Sequence, residues 1–353
     1  ITPEQFEKTL TDIAALPPDS DEDSLLSRSG ILDADQARNL AELVTRSPDD
    51  RDQRPGHGRD GKASFPGFDV LEEIAPGRGG MGHVFKAREV NLDRVVALKT
   101  VKPALLGQGG REFFIKEARA AARLDHPNIV RIFSFSLDHP TPYFVMQFVD
   151  GVPIDEACMR RGISRTVRLL EKTARALAYA HSQGVIHHDI KPDNVIVDRA
   201  DDPQITDFGL AGRWEDAGGP GEGQPAPVAG TPSYMAPEIL RGGGVASPEV
   251  DIYSFGVMMY KLFTGEYPHK GKTLSELRQR VLEHDPPIPQ DNRPVLRDPI
   301  QLFCQTAREM DPLRRYESAE NLADDLRRVV EGGGVCVRAG GGRVGVAGGL
   351  WRL

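Results

Sequence analysis

The chain changes texture once along its length, and that change limits what it can fold into. Between residues 68 and 147, β-type residues cluster around turn signals. They include Val70, Ile74, Val84, Phe85, Val95, Val96 and Leu98, and then the run Tyr143-Phe144-Val145-Met146. One stretch in this part, about 110–124, has helical texture instead. Beyond Gly151 the period becomes mostly helical. Residues 164–182 carry apolar side chains at 167, 170, 174, 177 and 178, and helical signals recur near 249–264, 273–283, 299–309 and 318–330. Strands first and helices after predict an α+β protein with two lobes.

The two ends read differently from this middle. Residues 1–66 hold 14 Asp and Glu against 8 Lys and Arg, which is most of the formal net charge of -8. Thr2-Pro3-Glu4 caps a first helical stretch striped by Phe6, Leu10 and Ile13. Ala37, Leu40, Ala41 and Val44 stripe a second, from Asp33 to about Thr45. Residues 1–46 therefore read as a small helical appendage. It is either a passive attachment or a docking and regulatory module. Residues 47–67, with Ser-Pro, Pro-Gly and alternating charges, read as a flexible linker. Residues 331–353 read as a Gly-rich flexible tail, since nine of the last 22 residues are glycine and none is acidic.

Composition excludes several classes. With 39% hydrophobic and 27% charged residues in 353, the chain can bury a core, so wholesale disorder and a fibrous fold are not expected. The acidic balance argues against a nucleic-acid partner. No apolar run approaches the roughly 18 residues of a membrane span, and no signal peptide is evident. Cys158, Cys304 and Cys336 are far apart and form neither a zinc spacing nor a disulfide framework. A reducing compartment, the cytoplasm, is the expected location. The chain begins at Ile1, as a fragment or a processed form would.

The polar motifs narrow the chemistry. Gly77-Arg78-Gly79-Gly80-Met81-Gly82-His83-Val84 fits G-x-G-x-x-G-x-V. Glycines let backbone N–H groups approach phosphate oxygens that side chains would block. A dinucleotide fingerprint needs a helix straight after its glycines. Residues 83–88 have strand texture here, so the loop should join a β-hairpin. Lys99 ends the β-type run Val96-Ala97-Leu98-Lys99. In the helix that follows, Phe113, Phe114, Ala118, Ala121 and Leu124 form an apolar face with Glu117 among them. A buried carboxylate needs a partner, and Lys99 is the natural one. His187-His188-Asp189-Ile190-Lys191-Pro192-Asp193-Asn194 follows an amphipathic helix. Asp207-Phe208-Gly209 comes 13 residues after Asn194, and Gly230-Thr231-Pro232-Ser233-Tyr234-Met235-Ala236-Pro237-Glu238 comes next. Any one of these is compatible with chance; the ordered set is not.

In this set the chain resembles the eukaryotic-type Ser/Thr protein kinases, especially those of bacteria. The resemblance covers about 68–330. It implies a bilobal protein-kinase-like fold, with a small β-rich lobe, a larger helical lobe and ATP in the cleft between them. The hinge would lie around Gln147–Gly151. By the same resemblance Gly77, Arg78, Gly79, Gly80 and Gly82 cover the phosphates. Lys99 holds the α- and β-phosphates and pairs with Glu117. Asp189 orients the acceptor hydroxyl and takes its proton, and Lys191 neutralises the γ-phosphate. Asn194 and Asp207 hold Mg2+. Val84, Ala97 and Ile196 sandwich the adenine, with Met146 as gatekeeper and the backbone of Gln147 and Val149 on the adenine edge. Asp251 braces the catalytic loop, and Glu238 pairs with Arg315. Lys191 and Gly230-Thr231-Pro232 resemble the Ser/Thr branch, so protein Ser/Thr hydroxyls are the implied substrates.

Three departures stand out. His188 replaces the family's arginine, and an imidazole cannot form a bidentate fork on a phosphate. Residues 210–230 contain no Ser, Thr or Tyr. Receptor and acceptor of an activating phosphate are both missing, which suggests a kinase not switched by activation-loop phosphorylation. Loop order would then come from packing, by Trp214 for example, or from a partner such as residues 1–46. Lys261 stands where kinases preferring basic substrates often carry an acid, while Asp193 still attracts a base; no strong preference for arginine is expected. The alternatives are a pseudokinase or nucleotide-binding scaffold, against which the retained Lys99, Asp189 and Asp207 argue, and a small-molecule kinase of related fold.

Overall fold

The computed structural model describes residues 64–74, 82–101, 110–159, 162–208, 231–242, 247–271, 273–283, 297–332, 336–339 and 342–345. The chain divides into two compact units, Ile1–Pro66 and Gly67–Leu353. The helical appendage and most of the linker read from the sequence lie outside the described residues.

The second unit opens with strands β1 (Phe68–Ile74), β2 (Val84–Glu89) and β3 (Arg94–Thr100) and helix α1 (Gly110–Ala121). Strands β4 (Ile132–Ser136) and β5 (Tyr143–Gln147) come next in the chain. The five strands form one antiparallel sheet in the order β1-β2-β3-β5-β4. Ile74 pairs with Val84 across β1 and β2, so the glycine run does join a hairpin. Its residues 75–81 lie outside the described ones. Sequence texture did not reveal β4, whose exposed Phe133 and half-buried Phe135 break a clean alternation. One face of β3 and β5 buries Ala97, Phe144 and Met146 against Phe114 and Ala118 of α1. The Phe114 and Phe144 rings meet at 5.0 Å.

The helical lobe begins with β6 (Gly151–Pro153), α2 (Ile154–Cys158), α3 (Ile163–Ser182), β7 (Val195–Asp198) and β8 (Pro203–Ile205). Strands β6, β7 and β8 form a three-stranded sheet that sequence periodicity did not reveal, because strands of three or four residues are too short to show a period. Helices α4 (Pro237–Arg241), α5 (Pro248–Thr264), α6 (Leu274–Glu283), α7 (Arg297–Ala307) and α8 (Ala319–Val330) complete the lobe. The stripe read on α3 is buried at Val167, Leu170, Ala174 and Leu177, and half-buried at Ala178. Helix α5 is its centre, buried without a break from Val250 to Tyr260. It crosses α7 closely at Gly256, where a Cβ would stand 2.7 Å from that of Ala307. Segment 331–353, read as a flexible tail, contains the antiparallel strands β9 (Cys336–Ala339) and β10 (Gly342–Gly345).

Candidate active site

An acid inside a helix that is buried all round cannot stay unpaired. Asp251 of α5 is fully buried, and three donors converge on it. The backbone N–H of His187 reaches Oδ2 at 2.7 Å, and that of His188 reaches Oδ1 at 2.8 Å. His181 Nε2, from the last turn of α3, donates to Oδ2 at 2.8 Å. Burial alone would raise this carboxyl, but the His181 hydrogen bond and the nearby imidazoles of His181, His187 and His188 hold it below its ordinary value. The catalytic-loop backbone is thereby anchored to the core from beneath. His188 carries backbone strain there, at a φ of 69°, in the left-handed region that non-glycine residues seldom occupy.

The same anchoring orients His187. Its Nε2–H donates to the Thr206 carbonyl at 2.8 Å, and its Nδ1 accepts the Asp189 N–H at 3.2 Å. One tautomer satisfies both bonds. Its ring also meets that of Phe208 edge-on at 4.7 Å. His187 therefore ties the Asp189 segment to the Asp207 segment.

Asp189 is buried, with both carboxylate oxygens engaged. Lys191 Nζ lies 2.6 Å from Oδ2, and the Thr231 N–H donates to Oδ1 at 3.1 Å. Lys191 also donates to Thr231 Oγ1 at 2.7 Å. Asn194, in the short 3-10 turn Pro192–Asn194, directs its amide nitrogen to the Asp189 carbonyl at 2.8 Å and to Oδ2 at 3.2 Å. Asn194 Oδ1 is then the oxygen it has to offer. Four residues spread from 189 to 231 in the sequence thus form one hydrogen-bonded group.

Lys99 and Asp207 form a second group, Nζ to Oδ2 at 2.7 Å. Burial would raise the Asp207 carboxyl; the Lys99 ammonium, helped by His187 and Thr206, keeps it below the ordinary carboxylate value and ionised. Asp207 takes a φ of 70°. The partner expected for Lys99 was Glu117, which is half-buried on α1 rather than enclosed by its apolar face.

Around these polar groups lies an apolar rim. Ala97 and Met146, paired across β3 and β5, are buried in one cluster with half-buried Val84 and Val149 at its edge. Gln147 ends β5, half-buried. Ile196 is half-buried on β7, on the side of the helical lobe. Gly82 lies against the end of β3, where a Cβ would stand 2.1 Å from the Thr100 carbonyl oxygen. Only glycine fits there. Gly77, Arg78, Gly79 and Gly80 lie outside the described residues, as does the loop 209–230. Below the site Arg315, fully buried, grips Glu238 with two bonds of 2.7 and 2.8 Å, the pairing expected from the sequence.

Sequence reasoning missed His181 and Thr206. His181 had one available signal, its helix phase at the end of α3.

Comparison with known proteins agrees with this geometry. Residues 68–326 match the family described as protein kinase domain. The serine/threonine-protein kinase PrkC of Bacillus subtilis is 31% identical over 76% of this chain and 41% of its own length. The kinase pkn3 of Myxococcus xanthus is 34% identical over 73% and 49%. PknJ of Mycobacterium tuberculosis is 36% identical over 76% and 46%. The matched part spans less than half the length of each of these relatives.

Proposed function

From the premise that the chain belongs to the protein kinase family, we propose that it transfers the γ-phosphate of ATP to Ser and Thr hydroxyls of protein substrates. The observation that carries this reading is the hydrogen-bonded group of Asp189, Lys191, Asn194 and Thr231, with the Lys99–Asp207 pair as its companion. The acceptor hydroxyl gives its proton to Asp189 as its oxygen bonds to the γ-phosphorus. The bond from that phosphorus to the β–γ bridging oxygen breaks, and ADP leaves. Lys191, between Asp189 and Thr231, balances charge on the transferred group, and Lys99 does so on the α- and β-phosphates. Val84, Ala97 and Ile196 give an adenine ring its apolar surfaces, Met146 stands as gatekeeper, and the backbone of Gln147 and Val149 borders the adenine edge.

The donors at the site suit a hard divalent cation. Asp207 is held ionised, and Asn194 presents its amide oxygen. Two protein oxygens, completed by phosphate oxygens and water, are the usual holding of Mg2+. When bound, Mg2+ supplies positive charge to the phosphates.

The same reading extends to regulation. The loop 210–230 has no hydroxyl to phosphorylate, and His188 cannot grip a phosphate as arginine does. The enzyme is therefore not switched by activation-loop phosphorylation, and residues 1–46 are its candidate regulatory partner site. No helix among the described residues is long and apolar enough to cross a membrane. The free thiols Cys158 and Cys304 suit a reducing compartment such as the cytoplasm.

The test is γ-phosphate transfer from Mg2+-ATP, wild type against Asp189→Asn, with phosphosites mapped by mass spectrometry. Transfer onto Ser and Thr that the variant loses is the expected result. Tight nucleotide binding without transfer would replace this reading with the nucleotide-binding scaffold. Stoichiometric phosphate at Thr231 or Ser233, required for activity, would overturn the regulatory part.

A further inference from the structure

Thr100 ends β3, one residue after Lys99. Successive side chains of a strand point to opposite faces. Lys99 turns toward Asp207, so Thr100 turns to the other face. It is buried, and its polar atoms converge on one neighbour. The Thr100 N–H donates to the His83 carbonyl at 2.8 Å. The Thr100 hydroxyl accepts the His83 N–H at 2.7 Å and donates to the His83 carbonyl at 3.2 Å. In a regular antiparallel pair the His83 N–H would go to the Thr100 carbonyl. That carbonyl lies instead against Gly82, 2.1 Å from where a Cβ would stand, and the hydroxyl oxygen is 2.6 Å from the same point.

The hydroxyl therefore ends the β2–β3 ladder. It takes the bond that a backbone carbonyl would hold, and so sets where the chain leaves the sheet. Threonine is stiff at χ1, which keeps that oxygen in one place. Strand pairing itself does not require a hydroxyl: the pairs from Val84–Lys99 to Glu89–Arg94 form without one. The His83 side chain is fastened separately. Its Nδ1 lies 2.7 Å from Glu73 Oε1 of β1, and its ring stacks with that of Phe85 at 6.1 Å. Gly82 is the last of the glycines that the kinase resemblance sets over the phosphates. Hydrogen bonds from backbone N–H groups to phosphate oxygens weaken steeply with distance and angle. A small shift of Gly82 and His83 would thus be felt by the phosphates and not by the nucleoside.

We propose that Thr100 is a positioning residue for the phosphates of the nucleotide, acting through the backbone of Gly82 and His83. This rests on the nucleotide-binding reading of the site and deepens it. Lys99 and Thr100, neighbours in the chain, then serve the same phosphates from opposite faces of one strand. Lys99 does so by its charge, and Thr100 by fixing backbone.

The test is binding of ATP and of adenosine, each with Mg2+, to wild type, Thr100→Val, Thr100→Ala and Thr100→Ser, measured by titration calorimetry. Thr100→Val keeps the shape and loses the hydroxyl. It should weaken ATP by about fivefold, the size of one neutral hydrogen bond, and leave adenosine unchanged. Thr100→Ala should do the same, and it serves if Thr100→Val does not fold. Thr100→Ser, which restores the hydroxyl, should recover most of the loss. Unchanged ATP binding without the hydroxyl would overturn the proposal. Equal losses for ATP and adenosine, or a loss that serine does not recover, would overturn it too, since a merely structural residue would behave so. A selective loss of ATP in a protein that transfers no phosphate would uphold Thr100 and replace the kinase reading with the nucleotide-binding scaffold. Wild type that holds ATP no more tightly than adenosine would overturn both.

Discussion

The catalytic loop has an underside and an upper side, and they are built on different principles. Beneath it, Asp251 is fully enclosed and collects three hydrogen bonds, two of them from backbone, while the buried Arg315 holds Glu238 with both arms of its fork. Above it, the Asp189 carboxylate takes two of its three bonds from the side chains of Lys191 and Asn194, and Lys99 and Asp207 neutralise each other. The underside fixes backbone; the upper side holds side-chain charges against one another. A carboxylate tied to backbone amides belongs to a rigid frame, whereas ion pairs between side chains can change partners without moving the backbone.

This contrast can be broken by mutation. The largest effect should come from above. Asp189→Asn should lower phosphate transfer by roughly a thousandfold, the usual worth of a positioned base, with little loss of thermal stability. If it unfolds the protein instead, the upper side is part of the frame. From below, Arg315→Ala should remove a fully buried cation, leave the half-buried Glu238 without its partner, and cost about 3 kcal/mol in denaturant unfolding. A loss under about 1 kcal/mol there would erase the distinction between the two sides.

Acid unfolding sharpens the comparison. The Asp251 carboxyl is depressed from its ordinary 3.8, so the unfolded chain binds that proton more readily than the folded one. Its contribution to stability is present above about pH 4 and is lost as pH falls through the folded value. Removing the imidazole by His181→Gln should raise the folded value and, as followed by circular dichroism, move the acid midpoint upward by less than about one pH unit. The smallest effect belongs far from both sides. Arg280→Ala breaks a solvent-exposed pair with Glu276 one turn away on α6 and should change stability by no more than about 0.5 kcal/mol.

Much of the helical lobe was legible because α3, α5 and α8 are long enough for a period to repeat. The β-hairpin at residues 74–84 was legible because strand texture follows the glycines directly. The three-stranded sheet of β6, β7 and β8 was hidden, since its strands are three or four residues long. Strands in the Gly-rich end ran against composition altogether. In the site, Asp189, Lys191, Asn194, Asp207 and Thr231 could be named from motif order. The bonds that join them could not, because Thr231 and Asp189 are 42 positions apart and meet only when the helical lobe is packed. Lys99 shows the limit most clearly. Sequence pattern offered Glu117 as its partner and gave no sign of Asp207, which the folded chain brings to 2.7 Å.

By itself the sequence determined which chemical groups this protein owns and the order in which they occur. Residue type and local period settle helix, strand and turn over distances of a few residues, and motif order is independent of packing. Only the tertiary structure decided how charges were matched: Asp207 to Lys99, and three donors to Asp251. Electrostatic and hydrogen-bond energies depend on separation in space and on burial, and neither is written into separation along the chain.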